Sequence, residues 1–186
     1  MIYPIVAYGD PVLKKEALDI EKGNPDVQKI SEDMFETMSN AHGVGLAAPQ
    51  VGLAIRLFVI DTSGFKDEEE ADKGVRKVFV NPIIEEEWGD EWAYEEGCLS
   101  IPGVRADVMR PESLKIRYFD TDWKEHVEEY SGMEARVIQH EYDHIEGILF
   151  VDHLSGIKKR LLKSKLSNIS KGICDPAYRM KFPLKK

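Results

Sequence analysis

The chain has 186 residues, of which 42% are hydrophobic, enough for one sizeable core. We therefore expect one domain, residues 1–186. No apolar run approaches the roughly 20 residues that a membrane-spanning helix needs. The N-terminus also lacks the basic start of a secretory signal. Because Cys98 and Cys174 are too few for a disulfide framework, we expect a cytoplasmic protein with no disulfide and no membrane contact.

Charge is divided unevenly along the chain, whose formal net charge is −9. From Ser155 onward ten lysines and arginines stand against one acid, Asp175, whereas the first 154 residues carry 15 basic and 33 acidic side chains. A basic helix and tail at about 155–186 is suited to a polyanion such as nucleic acid or a ribosomal surface. On composition alone, a solvated basic face that meets nothing is an equally good interpretation.

The first predicted helix opens at residues 24–26. Val27, Ile30, Met34 and Met38 recur there near helical spacing, which indicates a core-facing stripe. The segment 43–52 follows with three glycines and a proline, a composition that excludes regular helix. We interpret it as a loop of small residues that lets the backbone approach another group closely.

Short strands are predicted next, at 56–61 and 78–84, on either side of an acidic stretch at 66–74 that we interpret as a solvated loop. A later pair of strands is predicted at 113–120 and 127–130. Helices precede and follow these strands. The pattern favours an α+β fold with mixed or antiparallel sheets packed around a central helix, and with a further helix at the C-terminus.

The central helix carries the most informative motif, at 139–144. Ser131 and Glu134 predict a capping box at its start, and Gly147 predicts its end. His140 and His144, four residues apart, share one face of this helix, with Glu141 beside the first. This spacing is typical of a metal-assisted hydrolase in which metal-bound water is the nucleophile and the glutamate is its base. Two ordinary histidines in a capped helix are the alternative.

Two common classes of zinc protease fail at their diagnostic positions. A metzincin requires a third histidine six residues after His144, where this chain has Phe150. A thermolysin-like protease requires a downstream glutamate, but no glutamate follows Glu146. An enzyme that cleaves internal peptide bonds is therefore disfavoured.

A catalytic site of this type needs a third protein ligand, and the residues alone leave several open. Upstream, Cys98 follows Gly97, which permits a close approach, and its thiolate would complete a set with the two histidines. A small buried core cysteine is the competing interpretation. The downstream alternatives are Asp152, His153 and Asp175.

Three segments, at 43–50, 96–100 and 139–144, together resemble the signature motifs of bacterial peptide deformylases in order and approximate spacing. The opening at 8–13 is also similar to the start of that family. Gly97 and a C-terminal segment able to form a helix look more like the type I branch than type II. The resemblance implies removal of the N-formyl group from the formylmethionine of nascent polypeptides, with release of formate.

The resemblance also assigns roles to individual residues. It implies that Cys98, His140 and His144 hold the metal and that Glu141 is the general base and acid. The Gln50 side chain and the Leu99 backbone N–H would stabilise the charge that develops on the formyl oxygen. The metal implied is Fe²⁺, with Ni²⁺, Co²⁺ or Zn²⁺ as alternatives that sequence does not separate.

The family's peptide substrate runs as an added strand along the cleft. The substrate-binding residues implied are Gly43, Val44, Gly45, Leu46, Glu96, Gly97, Arg105 and Val137. Arg136 departs from the apolar residue common in the family, and we expect it at the rim of the methionine pocket. Arg105 is expected to bond the peptide backbone, or else to pair with Glu95 or Glu96.

By the same analogy, the basic C-terminal helix would contact the ribosome. A non-catalytic protein that binds ribosomes or nucleic acid through this helix is the alternative from a different functional class.

Overall fold

The computed structural model describes residues 1–65 and 74–183. The predicted acidic loop at 66–74 therefore lies almost wholly outside the described residues. The described helices are α1 (Asp26–Asn40), α2 (Gly132–Ile145) and α3 (Gly156–Ser170). The described strands are β1 (Ile5–Val6), β2 (Gly45–Ala47), β3 (Leu57–Asp61), β4 (Arg76–Cys98), β5 (Ile101–Phe119), β6 (Glu125–Ser131) and β7 (Met180–Lys181). The predicted α+β class is confirmed.

Five strands form one antiparallel sheet in the order β2-β3-β4-β5-β6, and β1 pairs in parallel with β7. The prediction of short strands is wrong for β4 and β5, which have 23 and 19 residues. In β4, most residues from 85 to 95 are exposed and carry no alternation of apolar and polar side chains. Only pairing with β5 reveals this part as a strand, and bulges interrupt that pairing at several positions.

The segment 43–52, predicted as a loop, contains strand β2 and a turn of 3-10 helix at Ala48–Val51. Strand β2 lies at one edge of the sheet, so its outer backbone groups have no neighbouring strand of the sheet. A left-handed Gly52, with φ +86°, ends the turn. Regular α-helix is excluded here, as predicted.

Helix α2 packs across the sheet through its apolar face. Ala135 and Ile138 are fully buried against Phe58, Phe79 and other residues of the sheet. Ser131 occupies the predicted N-cap position, but its side chain makes no capping hydrogen bond. The Ser131 half of the predicted capping box is therefore wrong. The sheet contact, rather than the cap, fixes the position of this helix.

Helix α1 packs on the other side of β3, with Val27, Met34 and Met38 buried, which confirms the predicted core stripe. Helix α3 is the predicted C-terminal helix. It begins after Ser155, whose hydroxyl accepts a hydrogen bond from the Lys158 N–H. Its remaining surface is largely exposed, and no helix in the described residues is long and apolar enough to cross a membrane.

An ion-pair network joins three strands at the far end of the sheet. Glu128 on β6 contacts Lys77 Nζ at 2.6 Å, and it accepts hydrogen bonds from the hydroxyls of Tyr118 and Tyr130. Burial opposes the charged form, but these hydrogen bonds lower the pKa of Glu128 from 4.5 to about 2. The carboxylate is therefore bound as an anion.

Candidate metal centre

Helix α2 presents His140, Glu141 and His144 beneath the end of the β4–β5 hairpin. The two imidazole centroids are 5.1 Å apart, as expected for side chains one turn apart on the same face. His144 is 1% exposed and Glu141 is 4% exposed. The motif therefore lies within the protein rather than on an outer helix face.

Cys98 is the last residue of β4, and its Sγ lies 3.3 Å from His144 Nε2. One ligand atom from each of Cys98, His140 and His144 lies within 4.8 Å of the others. Among the described residues, no other group of this kind is found. The downstream alternatives lie elsewhere: Asp152 pairs with Lys14, His153 Nε2 is 2.8 Å from Asp143 Oδ2, and Asp175 is outside the cluster.

The donor set fits a transition metal. A thiolate with two imidazoles is a ligand combination used for zinc, iron, nickel and cobalt. His140 Nδ1 lies 2.9 Å from Glu96 Oε2, which leaves its other ring nitrogen available to a metal. Beside these ligands, the buried Glu141 Oε2 has no hydrogen-bond partner among the described residues. Because buried carboxylate oxygens are seldom left unpaired, this arrangement fits a bound group at the cluster.

Glu96 is surrounded by three cationic or hydrogen-bonding side chains. Arg110 approaches it with Nε and Nη2 at 2.7 and 3.1 Å, and Arg136 Nη1 lies 2.8 Å from Oε1. Burial would raise its pKa, but hydrogen bonds from His140 and Arg110 outweigh burial and lower it. Both oxygens of Glu96 are bonded to Arg110, Arg136 or His140. Although Glu96 was expected to bind substrate, neither carboxylate oxygen is without a protein partner.

Arg136 lines the cleft, as expected near the pocket, but its head group does not lie at a solvent-exposed rim. The residue is 2% exposed, its Nη2 donates to the Trp92 carbonyl at 2.6 Å, and its guanidinium lies 4.1 Å from the Trp92 ring centroid. Its charge is balanced by Glu96 rather than by solvent. This departure from an apolar residue is therefore part of the support beneath the metal centre.

Glu141 faces strand β2 at very short range. A Cβ placed on Gly45 would lie 2.4 Å from Glu141 Oε1, so only glycine leaves room for this carboxylate. Burial raises the pKa of Glu141 to about 7, while the positive charge of His140 opposes this rise. The close backbone approach predicted for segment 43–52 is therefore made to Glu141, the glutamate of the helix motif.

Gln50 lies in the 3-10 turn after β2 and is 1% exposed. Its Oε1 accepts the Ala47 N–H at 2.9 Å, which directs Nε2 towards the metal cluster. This Nε2 is 3.4 Å from both Cys98 Sγ and Ser100 Oγ. Leu99 lies between these two residues, in the turn that joins β4 to β5. The Gln50 side chain and the turn that contains Leu99, expected from the sequence to supply the oxyanion donors, therefore both lie next to Cys98.

A cleft of about 520 Å³ opens over the cluster. Most expected substrate-binding residues line it, namely Gly43, Val44, Gly45, Glu96, Gly97, Arg105 and Val137. Leu46 does not: it is fully buried in the core beside α1, because alternate residues of β2 face opposite sides of the sheet.

Arg105 is exposed on β5 opposite Gly97, where it can meet a ligand in the cleft. The expected alternative, pairing with Glu96, is wrong because Arg110 and Arg136 occupy that carboxylate.

Sequence reasoning missed three residues that the structure brings to this site. Arg110, which lies 14 residues after Glu96 on the β4–β5 hairpin, bonds the Glu96 carboxylate. Ser100 lies beside Gln50, and Tyr178 lines the cleft from the C-terminal segment. In the sequence, Val104 and Val108 recur at even spacing and Arg110 falls next in that series, which is a weak signal that Arg110 faces the same side of the strand. No sequence pattern indicated that residues beyond α3 return to the cleft.

Comparison with known proteins identifies this arrangement. The family model described as polypeptide deformylase matches residues 2–160. Peptide deformylases from Cytophaga hutchinsonii and Salinibacter ruber are 79% and 45% identical to the chain; the match covers 100% of both sequences for the first, and 96% of this chain and 93% of the relative for the second.

A crystal structure of a peptide deformylase from Legionella pneumophila has 40% identity and a TM-score of 0.79, covering 90% of this chain and 95% of that one. The Thermus thermophilus peptide deformylase gives 39% identity and a TM-score of 0.80, covering 91% and 98%. The chain therefore belongs to the polypeptide deformylase family, the metalloenzymes that remove the N-formyl group from nascent polypeptides.

Proposed function

We propose that Cys98, His140 and His144 hold one divalent metal and that deformylation takes place in the cleft above them. The observation that carries this proposal is their approach within 4.8 Å, next to the unpartnered oxygen of Glu141. When bound, the metal would polarise the formyl group and lower the pKa of a water molecule. Glu96 supports the site by fixing the orientation of His140 rather than by binding substrate.

The peptide substrate lies along the outer edge of β2, which has no neighbouring strand of the sheet on that side. The Ala47 N–H is already bonded to Gln50 Oε1, so an added strand would pair with other backbone groups of this edge. Because Gly43, Gly45 and Gly97 carry no side chains, they leave room for the peptide backbone to approach this side of the cleft. The methionine side chain enters an apolar pocket beside Val44 and Val137, and Arg105 bonds the peptide further along.

The formyl carbonyl points between Gln50 Nε2 and the Leu99 N–H. As water adds to the formyl carbon, negative charge develops on its oxygen, and these two donors stabilise it. Glu141 takes a proton from the attacking water and passes it to the departing amine nitrogen as the C–N bond breaks. Formate and a free N-terminal amine are the products.

A formate-release assay on formyl-Met-Ala-Ser, with metal analysis of the same samples, tests these roles. Glu141→Gln should keep its metal and lose about 10²- to 10⁴-fold in kcat, the usual contribution of a general base. Cys98→Ala should lose the metal and the activity together. His126→Asn is the matched control, because His126 contacts Asp120 and is not among the residues that line the cleft.

Substantial turnover by Glu141→Gln would remove Glu141 as the base. A Cys98→Ala protein with full metal content would remove Cys98 from the ligand set. The unformylated peptide Met-Ala-Ser is included to detect internal cleavage, which the proposal excludes.

The native metal is proposed to be Fe²⁺. A thiolate-ligated ferrous site exposed to a solvent-filled cleft is open to oxidation, whereas Ni²⁺ is not readily oxidised there. The iron form should lose activity in air over a period in which the nickel form retains it. Equal survival of the two forms would contradict this assignment.

We further propose that the enzyme works in the cytoplasm and approaches the ribosome through α3. This helix carries basic residues on an exposed surface, together with the exposed side chains of Ile157 and Leu161. Electrostatic docking should weaken as salt rises. Co-sedimentation with ribosomes that is absent at low salt, or unchanged by salt, would argue against this contact.

A further inference from the structure

The chain beyond α3 returns to the catalytic cleft. Residues 161–183 lie outside the part matched by the family model, yet the backbone after α3 pairs with the N-terminal strand. Ile5 donates to the Arg179 carbonyl at 2.9 Å, and Ala7 donates to the Lys181 carbonyl at 2.8 Å. These bonds hold the preceding residues, 175–178, as one wall of the cleft. The C-terminal segment is therefore built into the site.

Within this wall, Tyr178 reaches the turn that follows Cys98. Its hydroxyl donates a hydrogen bond to the Leu99 carbonyl at 2.7 Å, a good length for an O–H donor. Cys98 pairs with Ile101, so Leu99 and Ser100 form the two-residue turn between β4 and β5. Because Leu99 lies at the turn, its carbonyl is outside the strand ladder and needs a partner from elsewhere.

The same turn is held from two other directions. The Tyr8 N–H donates to the Ser100 carbonyl at 2.8 Å, and Gln50 Nε2 lies 3.4 Å from Ser100 Oγ. These contacts fix Ser100, whereas the Tyr178 hydroxyl fixes the carbonyl of Leu99 itself. Together these contacts restrain the turn that contains the Leu99 N–H.

We propose that Tyr178 is a positioning residue for deformylation, holding the Leu99 carbonyl so that the Leu99 N–H stays directed at the developing oxyanion. This inference rests on the proposed role of Leu99. Removing an oxyanion donor outright typically costs about 10²- to 10³-fold in kcat. Tyr178 acts through the donor rather than on the substrate, so loss of its hydroxyl should cost less, about tenfold.

The test compares metal-loaded wild-type enzyme with Tyr178→Phe, which removes only the hydroxyl. Tyr130→Phe is the matched control, since it also loses a tyrosine hydroxyl bonded within the fold, but on β6 and away from the cleft. We measure kcat and KM for formate release, metal content, Tm, and hydrogen exchange at the Leu99 amide. The expected result is a tenfold lower kcat, a KM within twofold of wild type, full metal content and faster exchange at Leu99.

Unchanged kcat in Tyr178→Phe, or an equal fall in the Tyr130→Phe control, would overturn the inference. So would unchanged hydrogen exchange at Leu99, a readout that does not depend on turnover. Failure of the proposed function is distinguishable, because in that case the wild-type enzyme itself would release no formate.

Discussion

Replacing Gly45 by alanine tests the close packing between β2 and the proposed general base. The new Cβ would lie 2.4 Å from Glu141 Oε1 and 2.8 Å from its Cγ and Cδ. Ordinary contact is about 3.4 Å or more, so the carboxylate must move by roughly 1 Å, which is enough to cost about 10²-fold in rate. Glu141 is a buried residue of α2 with only 4% of its surface exposed, so its side chain cannot move away freely.

We therefore expect Gly45→Ala to lower kcat for formate release about 100-fold with metal content retained, because the ligands are on other residues. Gly156→Ala is the matched control, since a Cβ there meets nothing within 4 Å. Combining Gly45→Ala with Glu141→Gln should add little to the loss from Glu141→Gln alone, because both changes act on one carboxylate. Wild-type kcat in Gly45→Ala, or fully additive losses, would refute this reasoning.

Three other predictions concern the support of the site and the sheet. Glu96→Ala should weaken metal binding about 10- to 100-fold in a competition titration with a chelator, because His140 loses its orienting partner; unchanged affinity would contradict this. Glu128 has a lowered folded-state pKa, so its contribution to stability is present above about pH 4.5 and is lost as the pH falls towards 2. Glu128→Gln should reduce stability at pH 7 by about 1–2 kcal/mol, after discounting for solvent screening, and flatten its pH dependence in that window. Urea unfolding at a series of pH values measures this, and an equally steep dependence in the variant would contradict it. Phe79→Ala should cost about 3–5 kcal/mol by urea unfolding, because Phe79 is fully buried between other aromatic rings; a loss below about 1 kcal/mol would show that the core can close the cavity.

The parts of the site that sequence predicted well are those encoded locally. Two histidines four residues apart share a helix face in any α-helix, so the motif at 139–144 indicated two of the three proposed metal ligands in advance. The glycines of segment 43–52 likewise indicated a close backbone approach. The α1 stripe and the C-terminal helix followed from composition and spacing in the same way.

Predictions that depended on distant partners were less successful. Arg136 was expected at a rim because a lone arginine usually keeps its head in water, but Glu96, 40 residues away, allows it to be buried. The family resemblance implied Glu96 as a substrate-binding residue, but nothing near it in sequence shows that Arg110 and His140 bond both of its oxygens. The exposed half of β4 looked irregular because its order comes from β5 rather than from its own pattern.

The amino-acid sequence by itself determined the helix that carries His140, Glu141 and His144, and, through its motifs, the family and its reaction. Tertiary structure decided how the remaining groups, only some of which the family resemblance implied, come together at the site. Cys98 joins the histidines from the end of a strand more than 40 residues earlier, and Tyr178 reaches Leu99 across 79 residues. Helix periodicity is a local property of the chain, whereas the meeting of strand end, turn and C-terminal segment depends on how the whole sheet packs.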